Sequence, residues 1–151
     1  MPRLTLLLPC LLVVLAGCQK GPAGPALVPV GGTVTLDGKP LSGAQVTLIP
    51  IGSTAGQAAV GKTDAGGKFE VSTPDLAQKG AAAGSYRVLI SKKVNPDGTD
   101  FQPSPDQDPA LATYKEILPP VYSDDAQTTL TAEVPAGGTS ELQFNLKSKG
   151  R

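Results

Sequence analysis

Apolar and polar residues alternate with a period of two in several short runs between Val30 and Lys147. In the last run, Leu142, Phe144 and Leu146 are separated by single polar residues. Because successive side chains of a strand point to opposite faces, such runs predict strands with one buried and one solvated face. We predict seven strands, at Val30–Leu36, Ala44–Ile49, Ala58–Thr63, Lys68–Thr73, Ser85–Val94, Thr128–Val134 and Ser140–Lys147. The predicted core comprises Val34, Leu36, Val46, Leu48, Phe69, Val71, Tyr86, Val88, Ile90, Leu130, Ala132, Val134, Leu142, Phe144 and Leu146.

The segments between these runs carry turn residues. Asp37-Gly38, Asp64–Gly67 and Ala136–Gly138 contain residues that tolerate a positive φ, as tight connections between strands require. The chain has 18 Gly and 15 Pro, which leaves little room for helix apart from a single turn over Asp75–Ala83. Short strands with frequent turns predict an all-β antiparallel sandwich.

Three stretches of this region resemble carboxypeptidase regulatory-like domains. They are GTVTLDGKPLSGAQVTL at Gly32–Leu48, TDAGGKF at Thr63–Phe69 and GSYRV at Gly84–Val88. The resemblance covers about Val30 to Lys93 and implies a seven-stranded Greek-key sandwich of the transthyretin (prealbumin) type, usually an accessory or binding module. The shared residues are turn glycines, a turn proline and inward apolar side chains, so the resemblance is informative about fold and not about activity.

The first 17 residues have the features of a signal peptide. Arg3 precedes an apolar stretch, Leu4–Leu15, which is too short to cross a bilayer as a stable helix. Leu15-Ala16-Gly17-Cys18 follows and resembles the lipobox of bacterial lipoproteins. We expect cleavage between Gly17 and Cys18 and attachment of diacylglycerol and a fatty acid such as palmitate to Cys18. The alternative is an ordinary secretory signal followed by an incidental cysteine.

The mature chain would be one domain on a tether. Residues 18–29 are rich in Gly and Pro and predict a flexible tether, although the last few could form an irregular first strand. Residues 30–148 form the predicted domain, which includes a long proline-rich loop at 95–120. The expected location is the bacterial cell envelope, outside the cytoplasm and anchored to the outer or the cytoplasmic membrane.

Charge and residue content exclude several functions. Removing the signal takes away one of 13 basic residues and none of the 13 acidic ones, so the mature charge of −1 argues against a nucleic-acid partner. The chain has no His, and Cys18 is the one cysteine left after cleavage. Ser-His and Cys-His nucleophile systems and the usual zinc sites are therefore excluded.

The remaining acidic groups do not predict a reactive site. Asp124 and Asp125 are neighbours that an extended chain would point in opposite directions, and we interpret them as solvated loop charges. Asn95–Asp100 offers oxygen ligands for Ca²⁺ but lacks EF-hand spacing, and Pro-Asp-Gly within it favours a turn. Asp64 is similarly interpreted as a turn residue. We predict no catalytic residue, metal or cofactor, and a protein that is not an enzyme.

The loop at 95–120 is the one segment with a predicted binding role. Loops of this length are usually functional or disordered, and this one contains six prolines with the aromatic residues Phe101 and Tyr114. We consider two interpretations, a partner-docking arm with Phe101 and Tyr114 as anchors, or a tolerated surface insertion. In both, the strands should close without it, so replacing residues 97–118 by a short linker should leave the domain nearly as stable.

These observations favour a membrane-tethered, non-enzymatic binding or structural module of the cell envelope. Its expected partner, besides the membrane, is an envelope protein or a glycan that the sequence does not identify. The alternative is an accessory domain that presents a carbohydrate or peptide to a transporter. Carbohydrate platforms use flat aromatic rings, and this chain has no Trp, three Phe and three Tyr.

Overall fold

The computed structural model describes residues 24–102 and 112–149. The predicted signal peptide, Gly17, Cys18 and the first half of the predicted tether lie outside the described residues. The strands are β1 (Leu27–Val28), β2 (Val30–Leu36), β3 (Lys39–Pro40), β4 (Gln45–Pro50), β5 (Ala59–Lys62), β6 (Lys68–Ser72), β7 (Ala81–Ala82), β8 (Gly84–Ser91), β9 (Lys93–Val94), β10 (Lys115–Glu116), β11 (Thr131–Val134) and β12 (Thr139–Leu146). A single helical turn, α1, spans Pro120–Ser123.

The all-β prediction is confirmed. Seven longer strands, β2, β4, β5, β6, β8, β11 and β12, coincide with the seven predicted runs to within three residues at each end. The helical turn expected over Asp75–Ala83 is wrong, because Leu76 and its neighbours form a hydrogen-bonded turn and Ala81–Ala82 is β7. The helical turn lies instead at α1, where Pro120 presets the backbone of the first position. Leu27 and Val28 pair with β7, so the sheet structure begins before Val30.

The longer strands form one curled sheet in the order β11-β8-β4-β5-β6-β2-β12. A two-residue turn at Asp37 (φ 50°) and Gly38 (φ 81°) adds β3 to β2 as a hairpin. All neighbours are antiparallel except β12 and β2, which run parallel with Phe144 beside Val34. This pair departs from the antiparallel expectation, because the turn at 135–138 leads the chain from β11 at one edge of the sheet to β12 at the other.

Three glycines accompany the curl of the sheet. A Cβ at Gly31, Gly32 or Gly61 would come within 3 Å of a backbone carbonyl oxygen on the neighbouring strand. The register of β12 against β2 also shifts between Thr139 and Leu142, as a β-bulge does. Glycines and bulges allow strands to approach closely and a sheet to bend, so its two halves face each other across one core.

The inward side chains of both halves fill that core. Tyr86, Leu48 and Ile90 are completely buried, and the rings of Phe69 and Phe144 lie 6.1 Å apart. The Tyr86 hydroxyl donates to the Ala82 carbonyl at 2.7 Å, and burial raises the pKa of this phenol. Most predicted core residues are buried, whereas three lie half-buried at the margin of the core: Leu36, Leu130 and Leu142.

The strands give the domain two distinct ends. At the entry end, Pro25 lies beside Gly56 and the Val28 carbonyl lies beside Gly80, so the chain enters the domain there. At the far end, β2 terminates at the Asp37-Gly38 turn and β8 leads into Lys92. The seven residues of β2 connect the two ends, a distance of about 20 Å at 3.3 Å per residue.

Candidate functional site

The two aromatic residues predicted as anchors lie together at the far end. β9 and β10 pair with Val94 opposite Lys115, which brings the two ends of the long loop side by side. The ring centroids of Phe101 and Tyr114 are 5.0 Å apart, and Lys93 Nζ lies 4.3 Å from the Tyr114 centroid. We call Lys93, Phe101 and Tyr114 the arm cluster. Tyr114 is 43% exposed and Phe101 is half-buried, so the cluster presents an aromatic surface to solvent.

A tight turn leads into this cluster. The Gly98 amide donates to the Asn95 carbonyl at 2.9 Å, and the Asn95 amide donates to the Thr99 carbonyl at 2.8 Å. Asp97 accepts hydrogen bonds from the Thr99 hydroxyl at 2.6 Å and from the Thr99 amide at 2.9 Å, which lower the pKa of this carboxyl. Oxygens of Asn95, Asp97 and Thr99, which are among the possible calcium ligands, thus serve the turn that Pro-Asp-Gly predicts.

The buried side chain of Lys92 links the turn at Asn95–Thr99 to the sandwich. The Lys92 side chain is 9% exposed, and its ammonium donates to the Ser42 carbonyl at 2.8 Å and to the Asp100 carboxylate. The hydrogen bond from Lys92 is the main cause that lowers the pKa of Asp100. A Cβ at Gly43 would collide with both charged groups, so this glycine makes room for the pair. The contact couples the arm to the loop before β4.

Glu116 of β10 holds the other side of the arm. Its carboxylate accepts hydrogen bonds from the Ser91 hydroxyl at 2.6 Å and from the amides of Lys92 and Leu118 at 2.9 Å each. Leu118 is 4% exposed and belongs to the core, and Tyr122 of α1 packs against that core. The Tyr122 hydroxyl also accepts a hydrogen bond from the Lys147 amide at 3.3 Å, just beyond β12.

The seven longer strands pair with one another without residues 97–118, but this segment is part of the core and not a separate insertion. This segment supplies the partner of Lys92, the strand β10 and the core residue Leu118. Sequence reasoning missed them because two residues of strand and one apolar side chain are too short to show a period. The available signal was the apolar pair Ile117-Leu118 directly before Pro119.

The other acidic candidates have separate partners. Asp124 accepts from the Ala126 amide at 2.8 Å and the Gln127 side chain at 2.9 Å. Asp125 pairs with Arg87 at 2.9 Å, and both side chains are more than 40% exposed. The two neighbouring carboxylates thus do not act on a common group.

Asp64 also serves its turn. Its carboxylate accepts from the Gly66 and Lys68 amides at 2.8 and 2.9 Å. This is the role that the sequence predicts for it.

A cleft that sequence reasoning missed lies where the sheet curls. It is open, with a volume of 960 Å³, and Gly31 and Gly32 lie in its wall with charged residues of both signs. Lys62, Lys68 and Lys79 are offset by Asp64 and Glu70, so the cleft does not present a field of one sign. None of the residues that line it belongs to the arm cluster.

The predicted anchor, Cys18 with the cleavage site at Gly17, lies outside the described residues. Across the described ranges, no helix has the length and apolar character needed to span a bilayer. No protein-family model, curated protein or solved structure matches this chain.

Proposed function

We propose that this protein is a membrane-tethered, non-enzymatic binding module of the bacterial cell envelope. Lipid on Cys18 anchors it, a carboxypeptidase regulatory-like Greek-key sandwich forms its body, and the arm cluster docks an envelope partner. Three features of the sequence support this proposal: the lipobox-like sequence, the Gly- and Pro-rich segment after it, and the absence of His from the chain.

The proposed docking role rests on one observation, which is the position of the arm cluster relative to the tether. The chain enters the domain at the entry end, whereas Phe101 and Tyr114 lie beyond the last residue of β8 at the far end. A lipid on Cys18 would hold the entry end near the membrane and leave the cluster about 20 Å further out, estimated from the strand rise. A docking surface for an envelope partner needs this accessibility.

The cluster also has the chemistry of a binding surface. Exposed tyrosine rings bury a large area with few rotatable bonds, and they are enriched among the residues that dominate binding energies. Here Phe101 supports one side of Tyr114, and Lys93 adds a cation at its ring. Because Lys92 and Glu116 hold the flanking backbone, docking would order few additional groups.

Site-specific photocrosslinking in intact envelopes tests the proposal. A photoreactive amino acid replaces Thr113, which is exposed next to Tyr114, and in a second strain it replaces Glu133, which is exposed on β11. We expect a crosslinked product from position 113 and not from position 133. Tyr114→Ala should remove the product, whereas Ile117→Ala should retain it, since Ile117 is exposed to a similar extent at 41%.

Two results would contradict the proposal. The first is a product that is equally strong at both positions, which would indicate random collisions. The second is a product that survives Tyr114→Ala at full yield, which would remove the arm cluster from the docking surface. Circular dichroism of each purified variant would show that the fold is retained.

A further inference from the structure

Leu76 is the most exposed large apolar residue among those the structure describes. Its side chain is 72% exposed, compared with 43% for Tyr114 and 41% for Ile117. Its φ is +57°, a left-handed conformation that disfavours residues with a Cβ. Within the described residues, Asp37 is the other non-glycine with a positive φ, and Asp suits that conformation better than Leu.

The surrounding loop fixes this unfavourable arrangement. The Leu76 amide donates to the Thr73 carbonyl at 2.8 Å, and the Ala77 amide donates to the Asp75 carboxylate at 3.1 Å. Thr73 is 5% exposed, and its hydroxyl donates to Asp75 at 2.5 Å and accepts from the Gln78 amide at 3.0 Å. Gly or Asn would satisfy the backbone at position 76 with less strain, so the apolar side chain itself calls for a reason.

The position of the loop supplies that reason. Asp75 and Gln78 line the same small cleft as Gly24 and Pro25, so Leu76 lies at the entry end of the domain. Gly24 is six residues from Cys18, which limits the connection to about 20 Å even when fully extended. A lipid on Cys18 would therefore keep this end within reach of the bilayer surface.

We propose that Leu76 is a membrane-contact residue that inserts into the boundary between headgroups and acyl chains. The contact orients the domain, so that the entry end rests on the membrane and the arm cluster faces away from it. A lipid surface fits a single protruding apolar side chain, because insertion needs no complementary pocket. The inference rests on the lipid anchor of the proposed function.

Tryptophan fluorescence offers a direct test, since the chain contains no Trp. Mature lipidated protein carrying Leu76→Trp is reconstituted in phosphatidylethanolamine–phosphatidylglycerol vesicles with and without brominated acyl chains. Ala65→Trp, in the exposed turn at the far end, is the matched control. We expect brominated lipid to reduce the emission of the Leu76→Trp protein about twofold and to leave that of the Ala65→Trp protein unchanged, because bromine quenches over short distances only.

Trp itself favours membrane interfaces, so a Trp at position 76 could create the contact that it reports. A second measurement therefore places the Trp elsewhere and compares the native Leu76 with Leu76→Asp. The donor is the Trp of the Ala65→Trp protein, and the acceptor is a dansyl group on lipid headgroups. Energy transfer should be low with Leu76 and should increase in the Leu76→Asp variant, which frees the domain to tilt toward the membrane. Equal transfer with and without Leu76→Asp would overturn the orienting role.

Flotation of the same vesicles separates this inference from the anchor. If the protein floats with vesicles but position 76 is no more quenched than position 65, the membrane contact is wrong and the anchor stands. If the protein does not float, or if Cys18→Ser in a chain that begins at residue 18 floats equally well, the anchor and the inference both fail.

Discussion

Leu118 provides the sharpest test of the segment that the sequence suggested was dispensable. The perturbation is Leu118→Ala, which removes three side-chain carbons from a residue that is 4% exposed in the core. The control is Ile117→Ala, which removes the same number of carbons from the adjacent residue at 41% exposure. The two substitutions differ mainly in burial, so their comparison isolates the contribution of packing.

The expected magnitude follows from that difference. Each of the three deleted carbons contributed about 0.8 kcal/mol to stability by being buried, and the cavity adds to this loss, which gives about 2–5 kcal/mol for a buried Leu→Ala change. For Ile117→Ala we expect about 1 kcal/mol or less, because its side chain is already partly solvated and leaves no closed cavity. A loss at Leu118 would be a large part of the roughly 5–15 kcal/mol that stabilises a typical domain.

Urea unfolding followed by circular dichroism measures both values on the mature chain. With an m value of about 1–3 kcal/mol per molar urea, a loss of about 3 kcal/mol lowers the midpoint by roughly 1–3 M. Equal midpoints for the two variants would refute the placement of Leu118 in the core. A change in m would instead indicate an altered denatured or native state and would require a second probe.

Three further outcomes are expected. Cys18→Ser should give an unprocessed precursor that does not incorporate labelled fatty acid, and normal labelling of this variant would disprove the anchor. Phe144→Ala should cost about 3–5 kcal/mol in urea unfolding because its ring is buried, whereas Gln143→Ala on the solvated face should change stability by less than about 0.5 kcal/mol. Similar losses at both positions would mean that the register of β12 is wrong. Asp100 has a pKa below its usual value because of the hydrogen bond from Lys92, so its stabilisation is present above about pH 4 and is lost as the pH falls further. Asp100→Asn should therefore reduce the loss of stability between pH 6 and pH 3, by a small amount because the carboxyl is 42% exposed, and an unchanged acid profile would argue against this pair.

The candidate site was only partly predictable from the sequence. Phe101 and Tyr114 are conspicuous as aromatic residues in a proline-rich loop, but they are 13 residues apart and their contact depends on the pairing of β9 with β10. Leu76, in contrast, is not conspicuous in the sequence. Leu is not a residue type that signals a positive φ, and the hydrogen bonds that Thr73 and Asp75 make around position 76 are evident only in the structure.

The sequence by itself determined the seven longer strands, their buried faces and the turns next to them. These features are local: alternation over four to eight residues decides which side chains face the core, and Asp37-Gly38 suffices for its hairpin turn. The tertiary structure decided which strands become neighbours, including the parallel pairing of β12 with β2 and the burial of Leu118. Those outcomes depend on contacts between residues far apart in the chain, and a period of two is the same for parallel and antiparallel neighbours. The glycines at 31, 32 and 61 are a similar case. Their lack of a side chain matters only because a neighbouring strand lies close to them in the folded sheet.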